Sequence, residues 1–152
     1  MRMSEKTKIE KEKVDKAFSV ILAKLHYNLN ILCRPMSPGK LKRYSKTYFT
    51  IERSNRKRQD TKSFIVYFNQ EIMNLLSVNQ IKRHAFHEVL HAITWPFVDE
   101  FEEVTKYLKD QPDLYGELVS RAYDTRENVI YNMERSLGPI VLPESDWSEE
   151  KD

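Results

Sequence analysis

The spacing of apolar residues along the chain changes period twice, and those changes divide it into segments. Val14, Phe18, Ile21, Leu22 and Leu25 recur at helical spacing with Lys and Glu between them, so residues 10–27 read as an amphipathic helix. In "YNLNILCRP", which follows, Leu29, Ile31 and Cys33 alternate with Asn28, Asn30 and Leu32. That is a strand pattern, ended by Pro35 and Pro38-Gly39. Residues 45–54 and 62–69 are rich in β-branched and aromatic side chains and read as two further strands. The polar, basic "NRKRQD" between them predicts a hairpin with a charged tip. The unbroken run Phe64 to Phe68 suggests a strand covered on both faces.

Beyond residue 69 the period becomes helical. A short turn is expected over 70–76. Ser77 and Gln80 then match a capping box, which opens a helix running to about Trp95. Pro96 must end that helix, kink it or open the next. Phe97, Phe101, Val104 and Leu108 place a stripe on the following segment, and Gln111-Pro112 breaks it. A longer helix is expected from about Asp113 to Leu137, stopped by Gly138-Pro139. The order is helix, three strands, then three helices. Strands segregated from most helices predict an α+β domain. It is expected to span residues 1–143, with 144–152 as an acidic, flexible tail.

Composition narrows the class. A chain of 152 residues, 40% hydrophobic and 32% charged, suits one soluble domain with a real core. No apolar run approaches the length of a membrane span, so no membrane partner is expected. The charged N-terminus shows no secretory signal, and the single Cys33 excludes an intramolecular disulfide. A reducing, cytoplasmic location follows as the expectation. A thiolate-based zinc finger is disfavoured, and Cys33 reads as a small buried hydrophobe. The formal net charge of +2 conceals an asymmetry. Residues 1–86 hold 19 Lys/Arg against 7 Asp/Glu, and residues 87–152 hold 6 against 16. A basic half can face a polyanion, although charge runs are most often solvated faces.

The charge changes sign at "HEVLH", residues 87–91. In a helix His87 and His91 lie on one face, one turn apart, close enough to share a metal. Glu88 is offset by about 100° from His87, so it reaches an open coordination position without being a ligand. Zinc lowers the pKa of its bound water to about 7, and a carboxylate so placed can take the proton. This is the physical reason for the His-Glu-x-x-His spacing. Phe86, Leu90, Ile93 and Phe97 form an apolar stripe on the same helix, widened by Ala85, Val89 and Ala92.

HEVLH, on a helix after an α-β-β-β segment, resembles the zincin metallopeptidases. The layout of a first strand "NLNILCRP", a hairpin and then "HEVLHAI" is similar to small SprT-like and phage- or prophage-encoded zincins. The resemblance spans roughly residues 10–95, and only the five-residue motif is specific. It implies one Zn2+ per chain, a protein or peptide substrate, and a virus- or prophage-encoded protein acting in a host cell. It also implies that the strand before the motif helix, here 62–69, lies along the cleft and pairs with an extended substrate. SprT-like proteins are implicated in cutting proteins bound to DNA, which would give the basic hairpin a use.

The chain departs from that pattern at the third ligand. SprT-like enzymes take a histidine downstream of the motif, whereas here the histidines are His26, His84, His87 and His91. A third ligand should therefore be a carboxylate, as in zincins with a His-His-Glu set. At 100° per residue the last helix shows an apolar face of Val119, Ala122, Tyr123, Val129, Ile130, Met133 and Leu137. Glu127 and Glu134 border it, and a carboxylate at a buried edge is costly unless paired or metal-bound. Glu127 is favoured as ligand. Glu134 is the reserve, or a hydrogen-bond acceptor for a ligand histidine. Asp124 is a weaker choice, and the alternative for each acid is an ordinary pair with Arg126 or Arg135.

Tyr131 is a candidate oxyanion donor, and His84 a candidate hydrogen-bonding group near the metal. Arg56, Lys57 and Arg58, with aromatic residues Tyr44, Tyr48 and Phe49 nearby, are candidate nucleic-acid contacts. Two readings follow. The first is a zinc metallopeptidase with Glu88 as general base. The alternative is a non-catalytic zincin-like module that binds nucleic acid or a partner protein through its basic half. The substrate, the pathway and the oligomeric state are not written in the sequence.

Overall fold

The computed structural model describes residues 2–54 and 62–147. The protein is α+β. The chain runs α1 (Glu5–Leu25), β1 (Asn30–Pro35), α2 (Pro38–Arg43), β2 (Phe49–Arg53), β3 (Ser63–Phe68) and α3 (Gln70–Met73). Then come α4 (Val78–Ile93), α5 (Trp95–Thr105), a 3-10 turn (Lys106–Leu108) and α6 (Pro112–Val141). One face of a three-stranded sheet packs on α1 and α4. Val14, Ala17, Phe18 and Ile21 of α1 and Ile81, Ala85, Phe86, Val89 and Leu90 of α4 are buried there. They meet Cys33, Phe49, Phe64, Val66 and Phe68 of the sheet.

Local chemistry explains the ends of the elements. Ser77 accepts from the Gln80 amide at 3.2 Å, and Gln80 Oε1 accepts from the Ser77 amide at 2.9 Å, so the expected capping box is formed. Pro96 sits in the first turn of α5 and opens that helix. The helix α2 was not expected. Ser37 caps it by accepting from the Lys40 amide, with Pro38 in its first turn, so Pro38-Gly39, read only as ending β1, begins a helix.

The strand order corrects two expectations. The hairpin of β2 and β3 is antiparallel as expected, but β1 pairs with β3 in parallel, giving the order β1-β3-β2. The strand before the motif helix is therefore central, with both its edges already paired, and cannot accept a substrate strand. Nor is β3 covered by helices on both faces. Phe64, Val66 and Phe68 are buried, while Ser63, Ile65 and Tyr67 are only half-buried. Their cover is cross-strand: Leu32 and Glu52 flank Ile65, Arg34 and Thr50 flank Tyr67, and Lys40 lies over the Tyr67 ring at 4.3 Å. The hairpin tip, with Arg56, Lys57 and Arg58, lies outside the described residues.

The C-terminal helices also depart from expectation. Phe97 and Val104 of α5 are exposed, at 77% and 66%. Trp95 and Asp99, one turn apart, orient α5 instead. The Trp95 ring packs on Phe64 at 5.6 Å and Asp99 pairs with Arg53. Likewise α6 runs through Gly138-Pro139 to Val141, where a stop was expected. Its buried side carries Ile130 and Gly138, while Val119, Val129 and Leu137 are exposed.

Residues 142–147, of which 144–147 fall in the segment expected to be a flexible tail, are strapped across α4. Leu142 is buried, Ser145 Oγ donates to Asn79 O at 2.9 Å, and Arg83 donates to Asp146 O at 2.9 Å. Trp147 donates to Leu142 O at 2.8 Å and meets Phe86 edge-on. Its ring fills the space a side chain at 138 would need, since a Cβ there would lie 2.5 Å from ring carbons. Gly138→Ala is therefore expected to displace the indole and cost about 1–3 kcal/mol, as overpacking does. A fall in the urea midpoint at unchanged slope would show it. A midpoint equal to wild type would mean that the strap contributes nothing.

Candidate metal centre

Helix α4 presents His87 and His91 one turn apart, and α6 crosses it antiparallel, so later residues of α6 meet earlier residues of α4. The two Nε2 atoms are 3.0 Å apart. Glu127 Oε1 lies 3.1 Å from His91 Nε2, and Glu127 Oε2 lies 3.9 Å from His87 Nε2. Two turns further along α6, Glu134 contacts His87 Nδ1. A carboxylate at Nδ1 holds the imidazole proton there and leaves Nε2 its lone pair, aimed at the other two donors.

Donors on a tetrahedral zinc, with bonds of about 2.0–2.1 Å, stand roughly 3.3 Å from one another. With one ligand atom from each residue, the three donors lie within 4.8 Å of one another, a spacing that small shifts bring to that value. Two imidazoles and a carboxylate are also a zinc-type donor set, so the residues fit the ion that the motif implies. His87, His91 and Glu127 are the group so arranged among the described residues. Glu127 and Glu134, expected at the edge of the apolar face of α6, lie on its inward side, because that face is turned toward Ile130 and Gly138.

Electrostatics single out Glu88. Burial pushes its carboxyl up to about 7, Glu127 and Glu134 push the same way, and His87 and Arg126 oppose them. Burial together with the charges of His87 and Arg126 pulls His91 down to about 3, so its imidazole stays neutral at neutral pH, with one ring nitrogen free to act as a ligand. For His87, burial opposes protonation, but the hydrogen bond and charge of Glu134, with Glu88 and Glu127, outweigh it and raise the pKa.

The other candidates fall elsewhere. Tyr131 is half-exposed, with its hydroxyl engaged by Arg135 on the flank of α6, and is not among the converging atoms. His84 stacks on Tyr48, with ring centroids 4.0 Å apart. Asp124 is exposed. Cys33 is buried, and burial, reinforced by Asp15, pushes its thiol up to about 12, consistent with a packing role.

Sequence reasoning offered Arg126 only as an ordinary ion-pair partner for the acids of α6 and gave Trp95 no role at the site. Arg126 donates to the main-chain oxygen of His91 at 2.8 Å, and its guanidinium lies 5.1 Å from the Trp95 ring centre. The Arg53 guanidinium lies 5.7 Å from the same ring. Beside Trp95 a cleft of about 550 Å3 opens, lined by Glu52, Arg53, Asp99, Glu102 and Lys106 among others. Comparison with protein-family models, curated proteins and solved structures finds no match. No helix among the described residues is long and apolar enough to cross a membrane.

Proposed function

We propose that this chain is a zinc-dependent metallopeptidase of minimal zincin design. The convergence of His87 Nε2, His91 Nε2 and the Glu127 carboxylate, with the Glu88 carboxyl beside them, carries the reading. His87, His91 and Glu127 would hold the ion, and Glu134 fixes the orientation of His87. When bound there, zinc supplies Lewis acidity for a carbonyl and brings the pKa of a water into the neutral range. Glu88, drawn toward neutrality, takes the proton of the attacking water on a carboxylate oxygen and delivers it to the departing amine nitrogen. The C–N bond breaks, the acyl carbon gains the water oxygen, and the carboxylate is regenerated.

The substrate strand finds its partner on β2, since β3 is closed. Tyr48 O accepts from Asn69 N, and Ser54 N donates to Ser63 O. Even-numbered residues of β2 thus turn their main chain toward β3, and Phe49, Ile51 and Arg53 turn theirs to the open edge. This edge runs beside α4, from His84 at Tyr48 to Trp95 at Arg53, bracketing both histidines. An extended peptide paired there would pass the candidate metal centre and enter the cleft beside Trp95.

The test begins with protein purified without chelating resins. Elemental analysis should find close to one zinc per chain, and unfolded protein substrates should be cut in a reaction stopped by a chelator and restored by zinc. No zinc, even after its addition to folded protein, would sink the reading.

A further inference from the structure

We propose that Arg126 is a positioning residue that sets the height and rotation of α6 against α4, so that Glu127 meets His91. The inference rests on the metal-site reading above. Its geometric basis is a closed ring of contacts. Arg126 donates to the main-chain oxygen of His91 at 2.8 Å, while its sequence neighbour Glu127 faces the side chain of the same histidine at 3.1 Å. One residue of α4 is thus held through its backbone by one residue of α6 and through its imidazole by the next.

The His91 carbonyl is available because α4 ends there. His91 lies in the last turn of α4, where carbonyls lack intrahelical amide partners, and the Thr94 N–H goes to Leu90 O and Ala92 O instead. Thr94 Oγ1 donates to the His91 oxygen at the longer distance of 3.3 Å. Arg126 is itself held on a further side. Its guanidinium lies over Trp95, whose ring packs on Phe64, and its Nε is buried without a hydrogen-bond partner. A side chain anchored on the central strand through Trp95 and on α4 through His91 has little freedom to slide. Glu127, one residue along the same helix, inherits that restraint. An arginine that merely balanced the charge of the nearby carboxylates would need neither contact.

The test measures zinc affinity by competition with a chromophoric chelator and, separately, the visible absorption of the cobalt-substituted protein, which reports ligand geometry. Arg126→Met keeps length and packing on Trp95 but loses the donor. Arg126→Lys keeps donor and charge. Arg126→Met is expected to weaken zinc binding by at least about tenfold, in the range of other groups that orient metal ligands, and to shift the cobalt spectrum. Arg126→Lys should stay within about threefold of wild type. Should Arg126→Met not fold, Arg126→Gln, too short to hold both contacts, replaces it with the same outcomes.

Wild-type affinity and spectrum in the donor-free variant, with only KM raised, would overturn the proposal and make Arg126 a substrate contact. Equal losses in Arg126→Met and Arg126→Lys would overturn it as well. If wild type itself takes up no zinc, the metallopeptidase reading is what fails. If wild type binds zinc and the donor-free variant binds it equally, the positioning role alone fails.

Discussion

Glu88→Gln is expected to lower the rate of peptide hydrolysis by about 10²–10⁴-fold while the protein still holds one zinc per chain. Glutamine has nearly the same shape and cannot take a proton from water, so the loss isolates proton transfer from metal binding. The same substitution should make the metal-free protein more stable, because the native carboxyl is held against its ionisation. Its pKa rises from 4.5 to about 7, mainly through burial. The sign follows from linkage. Below the unfolded value both states hold the proton and there is no penalty. As pH rises toward 7 the unfolded chain releases its proton first, and the folded protein loses stability. Above about pH 7 the full penalty applies, on the order of 2 kcal/mol after allowance for partial exposure. Glu88→Gln lacks a titrating group there, so its advantage over wild type should be absent at pH 4, grow between pH 4.5 and 7, and level off above. Urea unfolding of the metal-free proteins across that range measures it. A variant that is inactive but shows no stability gain would contradict the strained environment assigned to Glu88. One that retains activity within tenfold of wild type would remove it as the base.

The parts of this site that could be read in advance are those encoded within one or two turns of helix. Ser77 and Gln80 start α4 by local hydrogen bonds, and the i, i+4 spacing puts His87 and His91 on one face whatever surrounds them. Glu127 and Glu134, seven residues apart, share a face of α6 for the same reason. What could not be read depends on partners distant in the chain. The pairing of β1 with β3 in parallel makes β3 central, and nothing in the run Phe64 to Phe68 distinguishes a strand buried by helices from one flanked by neighbours on both edges. The apolar face of α6 was misplaced because Val119 and Val129 are exposed, while Gly138, with no hydrophobic signature of its own, is buried under Trp147. Arg126 was invisible as a structural element because a hydrophobic pattern counts arginine as solvent-facing, and its acceptor is a main-chain oxygen 35 residues away.

Glu127→Ala and Glu134→Ala should both weaken zinc binding, by different amounts and with different consequences for its pH dependence. Apparent zinc affinities of roughly 10–16 kcal/mol, shared among three protein ligands and a water, put the loss of one ligand at about 3 kcal/mol, or about 10²-fold and more. Glu127→Ala removes the donor that stands 3.1 Å from His91 Nε2, leaving two imidazoles that cannot close the site. Glu134→Ala removes only the carboxylate behind His87, a change expected to cost about 10–100-fold. The magnitudes overlap, so pH separates them. His87 must shed a proton before Nε2 and Nδ1–H can serve together, and Glu134 raises its pKa. Zinc binding in wild type is thus lost as pH falls through that raised value. Without Glu134 the His87 pKa drops, proton competition moves to lower pH, and the fall in affinity moves with it. Glu127→Ala removes a weaker contributor to the same shift, so its curve should lie lower but bend near the wild-type pH. Zinc titrations at a series of pH values would show both curves. If Glu134→Ala loses more affinity than Glu127→Ala and its curve does not move toward acid, Glu134 is the ligand and Glu127 the supporting carboxylate.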